Sequence, residues 1–164
     1  MSSPNLVYFD LETQKSAAEV GGWHNKRAMK VALGVTYSTQ RGTYEIYRED
    51  DVYALLQELQ RADRVIGYNV IDFDFEVLAP YAVFDLSQVP VLDLMRDVEK
   101  NIGMRVGLDA ISEQTLGCGK TADGMEADQL SEQILAALVD EHGRKQEDGS
   151  ARAWLRKRRK GPLA

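Results

Sequence analysis

The order of apolar segments along the chain predicts an α/β fold in which helices flank a mixed five-stranded sheet. Two observations carry that prediction. Three β-prone runs, Leu6–Phe9, Ala28–Ser38 and Tyr44–Tyr47, follow one another with no helical pattern between them. Two further short apolar runs, Arg64–Gly67 and Val91–Leu94, then alternate with segments of helical periodicity. A three-stranded meander followed by crossover units gives such a sheet.

The first run ends in Asp10-Leu11-Glu12, so a buried strand delivers two acids at its carboxyl end. Residues 13–27 are polar and contain Gly21-Gly22, which predicts a loop. Thr39–Thr43 reads as the turn between the second and third strands. Glu49, Asp50 and Asp51 then open a helix, and Val52, Leu55, Leu56 and Leu59 form its apolar stripe. A short helix is predicted over residues 72–81, stopped or kinked near Pro80. Three more are expected near residues 95–101, 108–116 (through Leu108, Ile111 and Leu116) and 127–141 (through Leu130, Ile134, Leu135 and Leu138). Beyond Gly143 the apolar pattern fades. One domain over residues 1–143, followed by a basic and flexible tail over 144–164, is therefore expected.

The 164 residues suffice for one proper core, and 44% apolar with 28% charged residues excludes wholesale disorder. No apolar run approaches the ~20 residues that cross a bilayer. Met1–Asn5 carries no basic or apolar leader pattern, and Cys118 is the single cysteine. A reducing, cytoplasmic setting is the expectation, with no membrane partner. The net charge of −6 divides unevenly: residues 144–164 carry +6 and the remainder −12. An acidic body repels phosphate backbones unless cations intervene, whereas a basic tail attracts them without regard to sequence.

Asp10 and Glu12 are two apart on a strand, so they emerge on one face. Adjacent carboxylates repel, and a divalent cation with a preference for hard oxygen relieves that repulsion. A second segment, Gly67-Tyr68-Asn69-Val70-Ile71-Asp72-Phe73-Asp74, follows another apolar strand and opens a helix. Asp74 can reach the same site from there, with Phe73 and Leu78 anchoring its helix. Gly119-Lys120-Thr121 resembles the end of a phosphate-binding loop, but Gln114 stands where that motif needs glycine. With His24 and His142 the sole histidines, a histidine-rich metal site is excluded.

Phe9-Asp10-Leu11-Glu12-Thr13 resembles the first motif of DEDD-type 3′–5′ exonucleases of the RNase H-like superfamily. Gly67-Tyr68-Asn69 with Phe73-Asp74 and Leu78 resembles the second. The likeness is closest to bacterial RNase H-like domains related to family-B DNA polymerase proofreading domains, and it covers roughly residues 5–126. It implies an RNase H-like sheet and phosphodiester hydrolysis on DNA or RNA with a two-metal site of Mg2+ or Mn2+. Asp10, Glu12 and Asp74 would be the metal ligands, and Thr13, Tyr68 and Asn69 would contact a single-stranded 3′ end. A helicase or other nucleic-acid enzyme is a possible partner. Asp72 departs from the family's usual non-acidic residue and reads as a helix-start acid.

The family's third motif places Tyr or His four or five residues before a final Asp on the last helix. Asp140 is the one acid near the right place in the expected helix, and Ala136 stands four residues before it. Alanine can neither orient nor deprotonate a water. His142 is followed by Glu147 and Asp148, with Gly143 interrupting the helical pattern. Asp140 is thus the candidate fourth catalytic acid of an incomplete site. Two readings follow: an impaired exonuclease, or a catalytically inactive nucleic-acid-binding or interaction module on the same fold.

Overall fold

A computed structural model describes residues 3–117. Its five strands are β1 (Leu6–Thr13), β2 (Val31–Ser38), β3 (Thr43–Arg48), β4 (Arg64–Gly67) and β5 (Val91–Asp93). They form one sheet in the order β3-β2-β1-β4-β5. β2 runs antiparallel to β1 and β3, while β1, β4 and β5 are parallel. The fold is therefore α/β with a mixed five-stranded sheet, and a meander followed by crossovers is consistent with an RNase H-like sheet. The helices are α1 (Val52–Arg61), α2 (Phe75–Leu78), α3 (Leu94–Ile102) and α4 (Leu108–Leu116).

Alternation along β1 decides which face is core. Val7, Phe9 and Leu11 are buried, and Tyr8 and Asp10 are exposed on the other side. On β2 the residues paired with the buried set are Ser38, Thr36 and Gly34. A Cβ built on Gly34 would lie 2.7 Å from Leu55 Cδ2, so α1 presses on this face at the glycine. The predicted stripe is what α1 buries: Val52, Leu55, Leu56 and Leu59 all lie in the core. Asp10 and Glu12 consequently project from the face opposite α1.

One polar network lies beneath α1. Glu58 is 8% exposed and accepts hydrogen bonds from the Thr36 hydroxyl at 2.9 Å, from the Tyr47 hydroxyl and from Arg41 Nη2. Burial and the two carboxylates beside it, Glu45 and Glu58, push the Tyr47 phenol far above its ordinary range. Three donors on one carboxylate satisfy the requirement that a buried charge be paired.

Several sequence expectations need correction. The loop over residues 13–27 is not wholly irregular, because Trp23–Ala28 forms a 3₁₀ segment kinked at Asn25. β2 starts at Val31 rather than Ala28, since Lys30 adopts a left-handed conformation at φ 59° that ends the preceding turn. The helix predicted over 72–81 is three pieces: a π-helical turn Val70–Asp74, the short α2, and a 3₁₀ turn Ala79–Tyr81. Pro80 sits in the first turn of that last piece, where its missing N–H costs no helical bond. Leu108 and Leu116 of α4 are exposed rather than packed. The helix expected over 127–141 and the boundary at 143/144 lie outside the described residues, and no helix among the described residues is long and apolar enough to cross a membrane.

Candidate active site

The site forms because β1 is longer than its parallel neighbour. β4 pairs with β1 through Leu6–Tyr8 and no further, so Phe9 to Thr13 continue past the end of β4. Gly67 closes β4 against β1: a Cβ there would stand 2.6 Å from the Phe9 carbonyl oxygen and 2.3 Å from Val70 Cγ2. The chain then reverses at Tyr68-Asn69, with Asn69 at φ 63°, a left-handed conformation that asparagine tolerates. The π turn over Val70–Asp74 follows. It brings Asp74 to the open edge of β1, where the Leu11 N–H donates to Asp74 Oδ1 at 3.2 Å.

That hydrogen bond sets the third acid against the strand segment that carries Asp10 and Glu12. Asp74 is 2% exposed. Burial pushes its carboxyl well above the usual range, and the charges of Asp10 and Asp93 push it the same way, against the pull of two backbone hydrogen bonds. Asp10 lies exposed on the sheet face and Glu12 is half-buried. Directly after Glu12 the β1–β2 pairing steps from Leu33 to Val31, a bulge that passes over Ala32. Bulges re-aim side chains at the ends of strands. Thr13 lies at this bulge, its hydroxyl donating to the Lys15 carbonyl at 3.0 Å.

The donors available are hard carboxylate oxygens, the chemistry that suits Mg2+ or Mn2+. A cation beside Asp74 and Asp10 would also offset the repulsion that raises the Asp74 pKa. The three acids are nonetheless not closed around a point. Among the described residues no group of three or more His, Cys, Asp or Glu side chains is gathered so as to hold a metal ion. Asp140 lies outside the described residues.

Tyr68 and Asn69 stand at the mouth of the same turn. The Tyr68 hydroxyl donates to the Val106 carbonyl, which ties the turn to the segment after α3. Asn69 Oδ1 is buried and lacks a hydrogen-bond partner, singular in this among the buried side-chain polar atoms of the described residues. An acceptor left so is costly unless a ligand or water serves it. Asp72 is ion-paired with Arg96 at 2.8 Å and Arg105 at 2.7 Å, and those two bonds hold its carboxyl below the usual range. It therefore braces α3 and the loop beyond it against the π turn.

One residue has a role in the site that the sequence reading did not assign to it. Asp93, 4% exposed at the end of β5, accepts from the Asn69 N–H at 2.8 Å, the Ile71 N–H at 3.1 Å and the Met95 N–H at 3.1 Å. It caps α3 and also fixes the turn that delivers Asp74. The signal was present: an acid between a β-prone run and an amphipathic helix is an N-cap signature. Its second task, gripping a turn 24 residues earlier in the chain, left no trace in the local sequence.

No family model and no curated protein matches this chain. Among solved structures it is similar to the family B DNA polymerase from the hyperthermophilic archaeon Pyrobaculum calidifontis, at 16% identity and a TM-score of 0.37. The match covers 48% of this chain and 11% of the polymerase, so the chain spans about a tenth of the length of the protein it resembles.

Proposed function

We propose that this chain is a divalent-metal-dependent 3′–5′ exonuclease domain of the DEDD type that acts on DNA or RNA in the cytoplasm. The observation that carries the reading is the hydrogen bond from Leu11 N–H to Asp74 Oδ1, which joins the two motif-bearing segments between Asp10 and Glu12. Asp10, Glu12 and Asp74 would hold Mg2+ or Mn2+, and such ions supply the charge that activates water and stabilises a leaving oxygen. Gathering three carboxylates round an ion requires their side chains to close up. Tyr68, Asn69 and Thr13 would orient a single-stranded 3′ end.

Ala136 gives the chain no residue to orient water at the expected place in the third motif. Losing that role costs on the order of 10²–10⁴-fold in rate. The purified chain should therefore bind metal and degrade end-labelled single strands slowly, with Asp10→Ala abolishing what activity there is. Asp140→Asn should add little further loss. Robust digestion that Asp140→Asn abolishes would refute the impairment and make Asp140 the fourth ligand. The open arrangement of the three acids favours a second reading, an inactive nucleic-acid-binding or interaction module. Binding of single strands with no cleavage under saturating Mn2+ would establish it.

A further inference from the structure

The loop that leaves β1 is built to hold one large aromatic ring in solvent. Trp23 is 66% exposed, yet its backbone is fixed on both sides. The Gly22 N–H donates to the Ala17 carbonyl at 2.7 Å, the Asn25 N–H to the Gly22 carbonyl at 3.0 Å, and Asn25 Nδ2 to the Val20 carbonyl at 2.8 Å. Ser16 N–H closes the base of the loop on Glu19 Oε2 at 2.7 Å. Gly22 holds φ 126°, a conformation that only glycine takes readily, and this turn sends Trp23 outward. A tryptophan so displayed contributes little to the core, and a held backbone lowers the entropy cost of binding a flat partner.

The ring also has a defined place against the turn that carries Asp74. It meets Phe73 edge-on, with centroids 6.2 Å apart at 63°, and Phe73 precedes Asp74 in the π turn. Lys26, three residues on, donates from Nζ to the Asp72 carbonyl, so its positive charge is directed at a neutral oxygen. An exposed ring seated against Phe73, one residue before Asp74, offers a π surface to an unpaired base.

We propose that Trp23 is the stacking platform for an unpaired base of a single-stranded nucleic acid entering this site. The assignment rests on the exonuclease reading of Asp10, Glu12 and Asp74. Stacking tolerates any base, because every base presents a π face. Trp23 thus selects for unpaired strands over duplex rather than for sequence.

The test uses the full chain carrying W154F, which leaves Trp23 as the one tryptophan, titrated with oligothymidylate in EDTA to prevent cleavage. Stacking quenches Trp23 emission as the anisotropy of a labelled strand saturates. Trp23→Ala weakens binding about 5- to 150-fold, which is the ~1–3 kcal/mol of a base stack converted at ~1.4 kcal/mol per tenfold. Trp23→Phe recovers most of it. An abasic strand of equal length binds wild type no better than oligothymidylate binds Trp23→Ala. The proposal is overturned if Trp23→Ala binds like wild type, if emission stays constant while the strand saturates, if the abasic strand binds equally well, or if wild type binds no strand. The Mn2+-induced rise in Tm separates the two readings. A normal rise in Trp23→Ala keeps the carboxylate reading even where stacking fails. A quench in a chain whose Tm ignores Mn2+ removes the carboxylate reading and keeps the stack.

Discussion

Replacing Gly67 by alanine should unlock the seam on which the candidate site depends, and Gly34 supplies an internal comparison. At Gly67 the new Cβ would meet the Phe9 carbonyl oxygen at 2.6 Å and Val70 Cγ2 at 2.3 Å, both far inside ordinary van der Waals contact. Val70 is β-branched and stiff at χ1, so its Cγ2 cannot swing clear as the far end of a longer side chain can. The Phe9 oxygen belongs to the backbone of β1, directly before Asp10, so it cannot rotate aside. Overpacking of this kind costs ~1–3 kcal/mol, and a rigid backbone obstacle places Gly67→Ala near the upper value, about 3 kcal/mol. At Gly34 the obstacle is Leu55 Cδ2 at 2.7 Å, the far end of a side chain that can change rotamer. Alanine also restricts the unfolded chain by ~0.4–1 kcal/mol in favour of folding. Gly34→Ala should therefore fall within about 1 kcal/mol of wild type. Urea unfolding of both variants, compared at equal slope, measures the difference. A domain of ordinary stability, ~5–15 kcal/mol, survives either change and keeps the comparison readable. Because Asp74 hangs from the end of β4, Gly67→Ala should also lose part of the Mn2+-induced rise in Tm, and Gly34→Ala should keep it. Equal stabilities for the two variants would refute the seam.

Saturating Mn2+ or Mg2+ should raise the wild-type Tm, by an amount equivalent to ~2.7 kcal/mol at a hundred times the dissociation constant; an identical response from Asp10→Ala would dismiss the metal site. In EDTA, the raised carboxyl of Asp74 makes its ionised form a destabilising load above the folded-state pKa. Stability should rise as pH falls from that value toward the ordinary 3.8. Asp74→Asn should flatten that rise, be more stable than wild type at neutral pH without metal, and show no Mn2+ response; a variant whose pH profile matches wild type would contradict the burial argument. Glu58→Ala should cost ~3–5 kcal/mol by urea unfolding, since it strands the Tyr47 and Thr36 hydroxyls and Arg41 beneath α1. A loss under ~1 kcal/mol would mean that water reaches the network.

The sequence by itself determined the elements that follow from period and composition. Alternation in Leu6–Leu11 set which side of β1 is core and put Asp10 and Glu12 on the other side. The stripe of Val52, Leu55, Leu56 and Leu59 marked the buried side of α1 correctly, because a 3.6-residue period is a local property. The two acid-bearing segments were also legible as motifs. Local pattern could not show how they meet. That outcome was decided by the length of β1 relative to β4, by the absence of a Cβ at Gly67, and by Asp93 holding Asn69 and Ile71 from the neighbouring strand. The π turn was illegible for the same reason: a wide turn at Val70–Asp74 is held by Asp93 and by the Leu11 N–H, which lie far away in sequence. Trp23 was placed in a loop by its glycines, but its display beside Phe73 emerged only from packing. Periodicity specifies which side of an element is apolar. Where two chain segments touch is set by backbone approach and by donors that must find acceptors, and those are properties of the folded chain alone.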